Sequence, residues 1–241
     1  MDLIEKKLSN TKKENLLVLV QALGGFVIPR INNNSIVDIY QKYETDFRPA
    51  RWIFLIWPIL YISLCYGFYK QEYEWDRTSE NLFECVTVSN LSWVYFWTKD
   101  NIILSNISFI PLCFSLYKLF IRNINNKDIF LQNTLSAYLS WGLIAGSLNF
   151  ASVLKYKLKF KHYQKLVGFL LCFCQIAWVI KGRSIKYSLD KKNFYKNSNM
   201  FNLVGVISLI ALSQDSVNIK KEIIAYGICL LFSCYNQIQK K

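Results

Sequence analysis

Phe47-Arg48-Pro49-Ala50-Arg51-Trp52-Ile53-Phe54-Leu55-Ile56-Trp57-Pro58-Ile59-Leu60-Tyr61 decides the fold. It is a long apolar run that carries two Trp, two Phe and one Tyr at helical spacing. Soluble helices rarely spend aromatics so freely. Membrane helices do so where they line a flat-ligand pocket or sit at lipid headgroups. At about 100° per residue, Phe54, Trp57, Tyr61 and Phe68 share one face. Trp52 points about 160° away from Phe54 on the same wheel.

Apolar runs of this kind recur along all 241 residues, which are 53% hydrophobic and 16% aromatic. That is too apolar for an ordinary soluble domain and far from a disordered composition. About 20 apolar residues cross a bilayer core as a helix. Eight candidate spans follow, roughly 15–31, 51–69, 82–98, 101–121, 129–154, 166–181, 200–213 and 222–237. The fold class predicted is all-α, a polytopic transmembrane helix bundle. Pro49 marks the start of the second span, since proline in a first turn costs no hydrogen bond. Pro111 falls inside the fourth and predicts a kink. The Ser35–Tyr40 stretch reads as a short amphipathic piece on the membrane surface.

The formal net charge is +13. The basic residues lie between apolar runs, with no basic domain to hold a duplex, so nucleic acid is excluded as a partner. They read as loops facing anionic headgroups, with a slight excess on the side of both termini. Membrane lipid is thus the first expected partner, without any sign of which membrane. The seven cysteines match neither a disulfide framework nor a zinc site, and read as buried thiols. The Lys-rich N-terminal lead into Leu16–Ile28 reads as a retained first span, because no cleavage site follows it.

Two later segments repeat the aromatic theme. Asn90, Trp93 and Trp97 share a face of the third span, an amide at one end and two indoles beyond. In the fifth, Tyr138, Trp141, Ala145 and Asn149 fall in a stripe about 80° wide. A small residue between aromatics leaves a slot, and the amide offers donors and an acceptor at its end. Beside that stripe, Gly142 and Gly146 permit close backbone approach, for a homodimer or for a contact within the chain. Lipid gives such stripes no hydrophobic reason to hide. Packed together, they would make an aromatic-lined pocket with few polar groups, the usual make-up of a small-molecule site. Helix packing alone, or interfacial belts for Trp52, Trp75 and Trp97, are the competing explanations.

These three motifs resemble the TspO/MBR family of tryptophan-rich sensory and translocator proteins. The resemblance rests on Phe47, Pro49, Ala50, Trp52, Phe54, Trp57 and Tyr61, then Asn90 and Trp93, then Tyr138, Trp141, Ala145, Leu148 and Asn149. It covers about residues 15–155. The short five-helix members have one more residue between the first proline and the second-span Trp. Ala137 stands where they have proline. The spacing is similar to that of longer relatives with extra C-terminal spans. The resemblance implies a five-helix bundle over 1–155 and a three-span extension over 156–241. It also implies a pocket for a tetrapyrrole, sterol or synthetic aromatic ligand. The expected ligand-binding set is Trp52, Phe54, Trp57, Tyr61, Asn90, Trp93, Trp97, Tyr138, Trp141, Ala145 and Asn149.

No cofactor is obligatory on this reading; porphyrin or haem is the candidate ligand, held by stacking on indole and phenol faces. His162, the only histidine, lies in a loop and is a poor axial ligand for iron. A cholesterol-type pattern, Leu154 to Lys159, is common by chance. Few ionisable groups fall inside the spans, which disfavours ion-coupled transport. No nucleotide loop, metal cluster or nucleophile–base pair is present, so no catalytic or metal residue is assigned. A binding protein for a flat hydrophobic ligand, serving sensing, stress response or ligand handling, leads. A structural subunit of a larger complex and a facilitator of small hydrophobic solutes are the alternatives.

Overall fold

A computed structural model describes residues 2–70, 75–124, 128–184, 199–215 and 220–238. The described residues form nine α-helices: α1 (Asp2–Ile31), α2 (Ile36–Lys42), α3 (Ile56–Lys70), α4 (Arg77–Thr98), α5 (Ile102–Arg122), α6 (Ile129–Ser152), α7 (Tyr163–Ser184), α8 (Asn199–Asp215) and α9 (Lys220–Ile238). A 3-10 turn, Arg51–Leu55, leads into α3, and a π turn, Val153–Lys157, closes α6. Each of the eight expected spans is a helix. Most of the linker expected at 181–199 lies outside the described residues.

Local chemistry sets several of the boundaries. Asp76, Asn101 and Asp128 precede α4, α5 and α6, and each carboxylate or amide oxygen accepts the N–H of the residue three places on. Such a cap satisfies one of the donors that a helix start leaves bare. Ser35 and Asp38 form a reciprocal capping box at the head of α2. Helix α5 runs continuously through Pro111.

Five stretches are long and apolar enough to cross a membrane: Lys13–Ile31, Arg51–Lys70, Ile102–Arg122, Ile129–Lys157 and Tyr163–Lys181. Met200–Gln214 is a shorter apolar helix. The polar-flecked α4 falls outside this set by hydropathy, yet it packs extensively on α5 and α1. Two of its polar side chains, Thr87 and Asn90, hydrogen-bond to Gln21 of α1.

Helix α6 is the central post. Its spanning window is 72% buried, against 17% for that of α1. It packs against α3, α5, α7 and α8. Gly142 and Gly146 sit on the face turned to α5. A Cβ at Gly146 would lie 3.1 Å from a Phe109 ring carbon, and one at Gly142 would lie 3.2 Å from Cys113 Sγ. Their missing side chains therefore serve an approach inside the chain.

The C-terminal helices share the main core with the first five spans. Trp178 of α7 stacks on Phe201 of α8 with centroids 4.1 Å apart. Ser140 of α6 donates to the Phe201 carbonyl, and Ala50 N–H donates to the Ala211 carbonyl. That last bond explains one departure from the sequence reading. Ala50 is pinned in an extended conformation, so helical structure begins at Arg51 rather than at Pro49.

Candidate functional site

The helical wheels of α3, α4 and α6 turn their indoles to a common axis. Trp57 stacks on Trp93, centroids 5.2 Å apart and planes 25° from parallel. It meets Trp141 edge-on at 6.1 Å and Tyr138 edge-on at 5.8 Å. Phe109 of α5 closes on Trp93 at 5.4 Å. These offset and edge-to-face contacts suit ring quadrupoles and lock the rings in place.

Above this cluster lies a narrow cleft of about 50 Å³. Phe54, Trp57, Trp93, Trp97, Trp141, Ala145 and Asn149, all expected from the sequence, line it. The remaining wall comes from the first loop and the end of α6: Ile36, Tyr40, Thr45, Phe47 and Pro49, with Leu148 and Ser152. The loop segment is therefore a lid, and α2 lies over the cleft. Tyr40 of α2 packs edge-on to Phe54 at 5.6 Å.

Four expected residues stand elsewhere. Trp52 is 41% exposed, and its indole N–H donates to Gln214 of α8 at 2.8 Å, outside the cleft. Tyr61, Asn90 and Tyr138 lie below the indoles in a polar knot. There Asn90 donates to Tyr61 OH (2.8 Å) and to Gln21 Oε1 (3.2 Å). Tyr138 OH also donates to Gln21 Oε1 (2.8 Å), and Gln21 Nε2 donates to Thr87 (3.0 Å). Gln21 of α1 ties the knot together and was missed. Its signal was available: it is the only polar side chain between Leu16 and Ile28, and a lone amide inside a span needs a partner.

The cleft itself is poor in charge and holds polar atoms with nothing to bond. Trp57 Nε1, Trp141 Nε1 and Asn149 Oδ1 are buried without a hydrogen-bond partner among the described residues. The Asn149 amide nitrogen is occupied, donating to Ser105 at 2.9 Å. Trp97 donates to the Ile36 carbonyl of the lid at 3.0 Å. Two bare N–H donors and one bare carbonyl oxygen thus belong to residues that line the cleft.

The lid is fastened at several points. Asp46 accepts from Tyr163 OH (2.8 Å) and from Gln164 Nε2 (2.7 Å) of α7. The Glu44 carbonyl accepts from Lys155 and Tyr156, which commits the phenol of the cholesterol-type pattern to the lid. Asp100 pairs with Lys42. Burial pushes the Asp100 carboxyl up, but the hydrogen bonds of Lys42 and Tyr43 with the charge of Lys157 hold it below the usual aspartate range. Tyr43 is pushed up to about 12, by burial first and then by Asp100. At the far end, Arg122 grips Asp76 through both carboxylate oxygens and holds that carboxyl well below its ordinary value.

The family model for TSPO-like proteins matches residues 15–235. The chain belongs to the TSPO-like family. The match runs past the resemblance read over 15–155 and takes in α7, α8 and most of α9. No curated protein and no solved structure matches the chain. Family and apolar helices together make this TSPO-like chain an integral membrane protein. Among the described residues no group of three His, Cys, Asp or Glu could hold a metal ion. His162 is exposed in the turn before α7 and is not among the residues that line the cleft.

Proposed function

We propose that this TSPO-like chain binds a flat hydrophobic ligand of tetrapyrrole or sterol type, between the indole faces of the cleft and beneath the lid. The observation that carries this reading is the unspent hydrogen-bonding capacity of Trp57, Trp141 and Asn149 in a wall half of whose residues are aromatic. Buried polar atoms without partners are costly; others occur elsewhere in the bundle, such as Trp75 Nε1 and both Gln132 side-chain atoms, but these three belong to residues that share one cleft. A ligand carboxylate or carbonyl would take the indole N–H groups, and a ligand N–H or hydroxyl would take the Asn149 oxygen. Between the two classes, a porphyrin carries both kinds of group on a π surface suited to stacking. With His162 exposed in its turn, stacking rather than iron ligation would hold the macrocycle.

The cleft has to widen for such a guest. Sites for drug-sized ligands span about 300–1,000 Å³, and the closed cleft offers about 50 Å³. The lid supplies much of the wall, so this reading requires the lid to lift, uncovering the buried Ile39, Tyr43 and Phe47 along with the cleft.

Titrating protoporphyrin IX into purified protein should quench tryptophan fluorescence with saturation. Trp93→Phe combined with Trp141→Phe should weaken affinity at least tenfold, since it removes one unpaired N–H and two indole faces. Phe keeps an aromatic ring at each position and leaves the helices in place, so far-UV circular dichroism should stay the same. Unchanged affinity in the double variant would sink the assignment.

A further inference from the structure

A second concavity, of about 450 Å³, lies between α3, α6 and α8. Leu55, Ile59, Phe130, Ala137 and Leu203 dominate its wall, and Leu55 and Ile59 are about 60% exposed, facing outward from the bundle. It is separate from the indole cleft, sharing none of its lining residues. In an integral membrane protein this outward face meets hydrocarbon.

Apart from the Ser63 hydroxyl, the polar groups around the groove are satisfied. Asn133 donates to the Ile129 carbonyl and accepts from Met200 N–H. Thr134 donates to the Phe130 carbonyl, and Trp52 to Gln214. An occupant therefore finds a single free hydroxyl, that of Ser63, in an otherwise aliphatic and aromatic surface. A hydrocarbon chain fits that wall, and the volume falls within the usual range for a bound small molecule.

One end of the groove is different. Arg51 adjoins Trp52 in the 3-10 turn that forms this wall. It is exposed and makes no ion pair among the described residues. Its neighbour Arg48, in contrast, is paired with Glu44. An unpaired guanidinium beside an apolar groove at the end of a span is the complement of an anionic lipid: at the Arg a phosphate that no headgroup cation of its own compensates, and the acyl chain along the helices.

We infer that the α3–α6–α8 groove seats one acyl chain of an anionic phospholipid whose headgroup phosphate is held by Arg51. Helix α8 belongs to the C-terminal extension, so the site gives that extension a task that the indole cleft does not require. The inference stands apart from the proposed ligand of the cleft.

Native mass spectrometry of the detergent-purified chain tests it. Phosphatidylglycerol and phosphatidylcholine with identical acyl chains are offered together. The wild type should retain phosphatidylglycerol at least fivefold over phosphatidylcholine, with one lipid per chain. Arg51→Gln should abolish the preference, and Arg51→Lys should keep part of it. Ile59→Trp, an exposed position that fills the groove from its mouth, should lower retention of both lipids by fivefold or more. The midpoint of porphyrin quenching should be unaltered in all three, which reports intact folding where quenching is seen; gel filtration and circular dichroism report it otherwise. Equal retention of the two lipids by the wild type, retention unmoved by Ile59→Trp, or a dimer that Ile59→Trp dissolves would each overturn the inference.

Discussion

Gln21→Leu should destabilise the protein by about 2 kcal/mol, the largest effect expected from any single polar substitution in the spans. Gln21 is fully buried, and its Oε1 is the acceptor for both Tyr138 OH and one Asn90 N–H. Leucine would leave both donors with nothing. An orphaned buried group costs about 1–3 kcal/mol, and single interhelical hydrogen bonds in membranes reach about 1.7. Thr87 is unaffected, because its hydroxyl already donates to the Phe83 carbonyl. A titration of SDS into detergent micelles would measure the loss. The sharper result is the double variant. Adding Tyr138→Phe removes the orphaned hydroxyl, so the pair should recover roughly half of the deficit, since replacing both partners by apolar groups is nearly neutral. If the double variant is as unstable as the sum of the two singles, Tyr138 and Gln21 do not act as a pair.

That polar knot also marks where sequence reading stops. Periodicity puts Trp57 and Tyr61 on one face of α3, Trp93 with Asn90 on α4, and Trp141 with Tyr138 on α6, and those faces do meet. A wheel gives direction around a helix but not depth along it. Tyr61, Asn90 and Tyr138 point to the shared axis, yet they lie deeper than the cleft, where Gln21 claims two of them. Trp52 is the reverse case. Its wheel position about 160° from Phe54 already placed it off the stripe, and the structure gives it to α8. What no wheel could supply is the lid. Ile36, Tyr40 and Thr45 reach the cleft through a loop whose path depends on partners in α4, α6 and α7, more than 50 residues away in the chain.

The C-terminal helices show the same limit from another side. Eight apolar runs were countable, but their neighbours were not. Helix α6 carries the small residues Ala137, Ser140, Gly142 and Gly146, which let α8 and α5 approach from different sides. Small residues announce that something comes close; they do not say which helix. Here the Gly pair meets α5, and Ser140 meets the backbone of α8.

Unfastening the lid should speed porphyrin association by about 10–100-fold. On the proposed reading the closed cleft is too small for a porphyrin, so only the open fraction would bind, and the apparent dissociation constant would be the intrinsic one divided by that fraction. Asp46→Ala removes the acceptor for Tyr163 and Gln164. Hydrogen bonds to a charged group contribute about 1.5–3 kcal/mol each, and the half-exposed setting puts this pair toward the lower end. Every 1.4 kcal/mol is about tenfold, which gives the stated range. Stopped-flow quenching should show faster association and a tighter apparent affinity. Asp76→Asn, at the opposite end of the bundle and still able to cap α4, should change neither. The Asp100–Lys42 tie adds a pH arm. Because the Asp100 carboxyl is lowered in the folded protein, its contribution is complete above the unfolded value of about 3.9. It is lost only as pH falls through the lowered value. Between pH 8 and 5 this pair should therefore impose no pH dependence on association, whereas Asp100→Asn should accelerate it at neutral pH. An association rate indifferent to both Asp46→Ala and Asp100→Asn, in variants that remain folded, would mean that the ligand enters sideways between helices and that the lid is not its door.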